Sequence, residues 1–103
     1  FKTVLVSDVD DSGKLPTEYV LEQNFPNPFN PSTNFVIKIA KSGYTTLRIY
    51  NLLGQEVALV VNEELSPGVY TFNFDASELS SGIYMYRLSV NDFTASKKMI
   101  FLK

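Results

Sequence analysis

The sequence predicts an all-β fold, an antiparallel β-sandwich of about seven strands. Three observations point there. Apolar and polar residues alternate with a period of two along most of the chain. Turn residues interrupt that alternation every ~8–12 residues. No stretch carries the 3.6-residue period of a long amphipathic helix. The chain has 103 residues, 45% of them apolar, with eight phenylalanines and six tyrosines. That is the size of one domain, with enough apolar and aromatic material for a real core.

FKTVLV, residues 1–6, is a short β-prone run, and SDVDDSGKLP after it is a polar linker punctuated by Gly13 and Pro16. Residues 1–18 therefore read as a linker or the tail of a preceding domain, with an added edge strand as the alternative for the opening run. Residues 19–103 form the domain. The chain opens on Phe1 rather than Met, which reads as a fragment whose targeting segment lies upstream.

From Tyr19 onward the period is two. Phe35, Ile37 and Ile39 face one way and Lys38 the other, while Leu47 and Ile49 alternate with Thr46, Arg48 and Tyr50. Tyr70, Phe72 and Phe74 alternate with Thr71, Asn73 and Asp75, and Tyr84, Tyr86, Leu88 and Val90 with Met85, Arg87 and Ser89. Met99 to Lys103 reads as a terminal strand apolar on both faces. Between runs, Gly43 is expected at positive φ in KSGY, Asn51 and Gly54 turn NLLG, and Pro67 and Gly68 turn LSPG. Asn91 and Asp92 suit a tight hairpin. SELSS, residues 77–81, allows a single helical turn.

Composition excludes several functions. No cysteine is present, so neither a disulfide nor a thiolate metal site forms. No histidine is present either, which removes the commonest general base and zinc ligand. The net charge of −2 leaves no basic stripe for nucleic acid. No apolar run approaches the ~20 residues of a transmembrane helix.

Among candidate sites, DVDDSG at residues 8–13 matches the opening of a calcium loop, with Asp8, Asp10 and Ser12 as oxygen ligands and Gly13 for the turn. The twelfth loop position is Tyr19 instead of glutamate, so a solvated acidic linker is the competing reading. Glu63 and Glu64 sit beside Asn62 in what reads as a turn, with no apolar pocket to tune a carboxylic acid. Ser80 and Ser81 have no base partner. No enzyme emerges. Tyr44 and Tyr50 share a strand face with Arg48, as a sugar-binding aromatic patch or a wet core rim. Tyr84, entering a strand after a corner, resembles the tyrosine corner of immunoglobulin-like sandwiches.

NFPNPFNPST, residues 24–33, holds three of the five prolines. Each fixes its own φ and holds the preceding residue extended, so Phe25, Asn27 and Asn30 are β or polyproline-like. The expected result is a rigid corner: Pro26, Pro28 and Pro31 set the backbone, and Phe25 and Phe29 pin it to the sandwich edge. Asn27 and Asn30 are expected to bond their own backbone two residues on.

NFPNPFNPST, RIYNLLGQEV, LSPGVYTFNFDASELSSGIYMYRL and KKMIFLK, in that order, resemble the C-terminal sorting domain of type IX secretion cargo. The resemblance covers residues 19–103. A related immunoglobulin-like domain of flagellar hook-capping proteins shares parts of the pattern. A structural or carbohydrate-binding sandwich appended to a secreted enzyme is the further alternative. The resemblance implies a seven-stranded immunoglobulin-like sandwich serving as a non-catalytic address on a secreted cargo. Its implied partners are the outer-membrane secretion translocon, reached through the periplasm of a Gram-negative bacterium, and a surface sortase-like peptidase. Attachment of the cargo to lipopolysaccharide is also implied. The family's signal maps to Gly68 and Tyr70, to Gly82 and Tyr84, and to Lys98 and Lys103, with Lys103 expected at the true terminus. Its structural elements map to Phe25, Pro26, Pro28, Phe29, Pro31 and Gly54. No cofactor is implied.

Overall fold

The computed structural model describes residues 15–103. Those residues contain seven strands and no helix: β1 (Val20–Leu21), β2 (Ser32–Ile39), β3 (Gly43–Tyr50), β4 (Glu56–Leu65), β5 (Gly68–Asp75), β6 (Gly82–Val90) and β7 (Phe93–Phe101). They form two antiparallel sheets, one in the order β1-β2-β5 and the other β4-β3-β6-β7.

The alternation explains the core. Phe35, Ile37 and Ile39 of β2, Leu47 and Ile49 of β3, Tyr86 and Leu88 of β6, and Met99 and Phe101 of β7 are fully buried. They come from one face of each strand, as a period-two pattern requires. The sheets meet ring to ring, with the centroids of Phe35 and Tyr86 4.7 Å apart. Burying such side chains contributes roughly 1.5–3 kcal/mol each.

The structure corrects four local expectations. Glu63 and Glu64 lie within β4, not in a turn. That strand was hidden because two register irregularities against β3, at Leu47/Arg48 and Ile49/Tyr50, break its alternation. The segment at 77–81 forms a turn closed by the Leu79 N–H on the Ala76 carbonyl (2.8 Å), without a helical turn. β7 begins at Phe93, so the last strand is longer than its apolar end implied. Gly43 is not among the positive-φ glycines. It is needed for space, because a Cβ there would lie 2.7 Å from Asn91 Cγ. The hairpin residue that does take a positive φ is Asn91, at 52°.

Gly54, at φ 83°, closes the β3–β4 loop as expected. In that loop the Asn51 carboxamide oxygen accepts from the N–H groups of Leu53 and Gln55, and the Asn51 N–H donates to the Gln55 carbonyl.

Candidate functional site

The register places the proposed elements at the two ends of the sandwich. β5 starts opposite the end of β2, with Gly68 across from Ile39. β6 starts opposite the end of β7, with Gly82 across from Phe101 and Tyr84 across from Met99. Gly82, Tyr84, Lys98 and Lys103 therefore gather at one end, where the Lys103 N–H also donates to Ser81 Oγ (2.8 Å). Gly68 and Tyr70 lie at the other. The sequence could not separate these groups, since distance along a chain does not say which strand ends coincide.

Tyr84 behaves as a corner residue, its hydroxyl donating to the Ser80 carbonyl at 2.7 Å. Tyr70 does the same to Ser66 at 2.6 Å. The second corner went unread, although Ser66-x-Gly68-x-Tyr70 and Ser80-x-Gly82-x-Tyr84 share one pattern. Burial pushes the Tyr70 hydroxyl above its ordinary range, and the charge of Glu63 acts in the same direction.

The proline-rich entry lies at the same end as Gly82 and Lys103, and its geometry differs from expectation. Phe29 is buried and stacks on Phe101, with centroids 5.1 Å apart. Phe25 is 77% exposed and pins nothing. The reason is pairing: Phe25 exchanges both backbone hydrogen bonds with Asn34, an outward-facing residue of β2, so its ring is turned to solvent. The inward partner is Asn24, which is buried. Its Nδ2 donates to Thr33 Oγ1 (2.9 Å) and to the Pro26 carbonyl (3.1 Å). The turn expected from Asn27 and Asn30 is thus made by Asn24. Asn27 instead accepts from the Ile100 N–H through Oδ1 (2.9 Å), and Asn30 is exposed. Pro26, Pro28 and Pro31 line the surface of this corner.

The segment fastens the last strand. The Phe29 N–H donates to the Ile100 carbonyl, the Leu102 N–H donates to the Phe29 carbonyl, and Gln23 Nε2 donates to the Lys98 carbonyl. With Asn27, these bonds satisfy edge groups of β7 that a free edge would leave to water or to another chain. Tyr86 locks the other side. Its hydroxyl accepts from the Asn24 N–H and donates to the Glu22 carbonyl, both at 2.8 Å. Burial pushes it up to about 12, only partly offset by the Asn24 N–H.

Among the described residues no cluster of carboxylates is arranged to hold a metal ion, and the Asp8, Asp10 and Ser12 candidate lies outside them. No described helix is long and apolar enough to cross a membrane. Tyr44 and Tyr50 do share the outer face of the β4-β3-β6-β7 sheet with Arg48. However, Tyr44 is tied to Asn62 Oδ1 (2.7 Å), and Tyr50 lies under Arg87.

Fold and site together define a β-sandwich module in which a proline-rich entry seats the terminal strand. A family model described as the secretion system C-terminal sorting domain matches residues 23–102. The chain belongs to that family, and the domain is a sorting signal for type IX secretion. No curated protein matches it.

Proposed function

We propose that residues 19–103 form the sorting domain and that it is read as a folded, non-catalytic address. The reader is the outer-membrane translocon of a Gram-negative host, approached from the periplasm. Removal by a surface sortase-like peptidase and attachment of the cargo to lipopolysaccharide follow export. Gly82, Tyr84, Lys98 and Lys103 form the principal contact region, and Gly68 and Tyr70 shape the opposite end. Strand order and the Tyr84 corner support an immunoglobulin-like relation.

The observation that carries this reading is the fastening of residues 98–102 by Gln23, Asn27 and Phe29. It presents the terminal strand in one rigid conformation, which lowers the ordering cost of recognition. The test is export of a fluorescent reporter bearing a signal peptide and residues 19–103 in a type IX host. The intact fusion is expected at the cell surface, and one lacking residues 98–103 in the periplasm. A folded Lys98→Ala/Lys103→Ala variant separates signal from scaffold. Surface display undiminished in both altered fusions would remove the terminal strand from the address.

A further inference from the structure

The outer face of the β4-β3-β6-β7 sheet carries a groove of about 290 Å³ whose lining includes none of Gly68, Tyr70, Gly82, Tyr84, Lys98 and Lys103. Tyr50, Asn51, Leu52, Gly54, Met85 and Arg87 line it, with Ser96 at its far wall. Three features mark it.

The first is charge. Arg48 and Arg87 stand directly opposite each other on β3 and β6, an unfavourable like-charge pair. Lys98 lies on the same face, across from Met85. Among the described residues one carboxylate answers these cations: Glu56 Oε1 sits 3.2 Å from Arg48 Nε, in an alignment that gives Arg48 Nε no hydrogen bond. The chain as a whole is acidic, so this cationic surplus is local.

The second is the state of Arg87. Its guanidinium lies 5.3 Å from the Tyr50 ring centroid, and its Nε donates to Ser96 Oγ at 3.3 Å. Its terminal nitrogens make no hydrogen bond among the described residues. They form a pre-oriented fork without an acceptor, suited to a carboxylate.

The third is the loop beside it. Leu52 and Leu53 are 70% and 83% exposed. The backbone that presents them is held by Asn51 to Leu53, Gly54 and Gln55, and the two side-chain amides of Asn51 and Gln55 bond each other. A rigid loop that offers two leucines to water has the form of a recognition element, because its ordering cost is already met.

We propose that this groove is a second binding site, for an acidic peptide segment with an apolar anchor. The anchor sits against Leu52, Tyr50 and Met85, and flanking carboxylates meet Arg87 and Arg48. A peptide fits better than an anionic bilayer. The same face turns acidic at its other end, where Glu64 pairs across from Tyr44, and a flat anionic surface laid over the whole face would meet that end. The inference does not rest on the sorting assignment.

The test is nuclear magnetic resonance of the 103-residue chain, titrated with a capped hexapeptide whose central Leu-Phe pair is flanked by glutamates. A lysine-flanked peptide and phosphatidylglycerol vesicles are the controls. The acidic peptide is expected to shift the amides of residues 50–54, 85–87 and 96. Leu52→Ser/Leu53→Ser should weaken it about tenfold or more while leaving the other amide positions unchanged. Arg87→Glu should abolish it and bind the lysine peptide instead. Equal binding of both peptides to the native chain, shifts elsewhere, or binding of vesicles but neither peptide would overturn the proposal.

Discussion

Two sheet edges, β7 and β5, are treated in opposite ways. Along β7 the groups at Lys98, Ile100 and Leu102 are taken up by Gln23, Asn27 and Phe29. Along β5 the even-numbered residues bond β2, which turns the backbone of Val69, Thr71 and Asn73 outward. No described backbone group answers them. Bare edges invite pairing with other chains, and β5 carries no proline and a single charge, Asp75. Of these two edges, the described residues protect the terminal strand and leave β5 uncovered. Gln23, Asn27 and the buried Phe29 are all committed to one edge.

The sharpest way to break the contrast is Phe29→Ala. It empties the seat against Phe101 and should cost about 3–5 kcal/mol in chemical denaturation, exposing the Ile100 and Leu102 amides to exchange. Next comes Tyr86→Phe, which leaves the buried Asn24 N–H without its acceptor and should cost about 1–3 kcal/mol. The same hydroxyl sets a pH dependence. Its folded pKa of about 12 lies above the unfolded value of about 10, so its contribution is complete below about pH 10. It is lost as pH rises through 12, at no more than ~1.4 kcal/mol per unit. Tyr70 acts in the same sense. An alkaline melting series should show a shallower decline in Tyr86→Phe than in the native chain; an identical slope would remove Tyr86 from the account. Asn27→Ala should cost about 1 kcal/mol and speed exchange at Ile100 more than at Leu102. Thr71→Lys, on the bare edge, should change stability by less than about 0.5 kcal/mol. A larger loss there would mean that β5 is not the unprotected edge.

Most of the fold was legible because strict alternation survives wherever a strand is half-buried, as in Phe35-Val36-Ile37-Lys38-Ile39. β4 was not, since its bulges carry Ala58, Leu59, Val60 and Val61 through an apolar run without a period. At the proline-rich entry the chemistry gave an extended, rigid corner but could not give its phase. A shift of one residue exchanges Phe25 for Asn24 as the inward group, and only the pairing with Asn34 decides it. The buried Asn24 is the reverse of what apolar content suggests; it is tolerated because Gln23, Thr33 and Pro26 satisfy its amide. The groove beside Leu52 was invisible for a similar reason. Arg48 and Arg87 are far apart in sequence and become neighbours only through the register of β3 with β6.

The stacking of Phe29 on Phe101 joins an early part of the chain to a late one. A ribosome makes Phe29 and Asn27 long before it makes Ile100 and Phe101, so the seat stands empty while the intervening strands are produced. A chain broken off before Ile100 lacks the Phe101 ring that fills it. The closed corner is thus a physical record of synthesis through Leu102: it forms only on molecules that carry both Phe29 and Phe101.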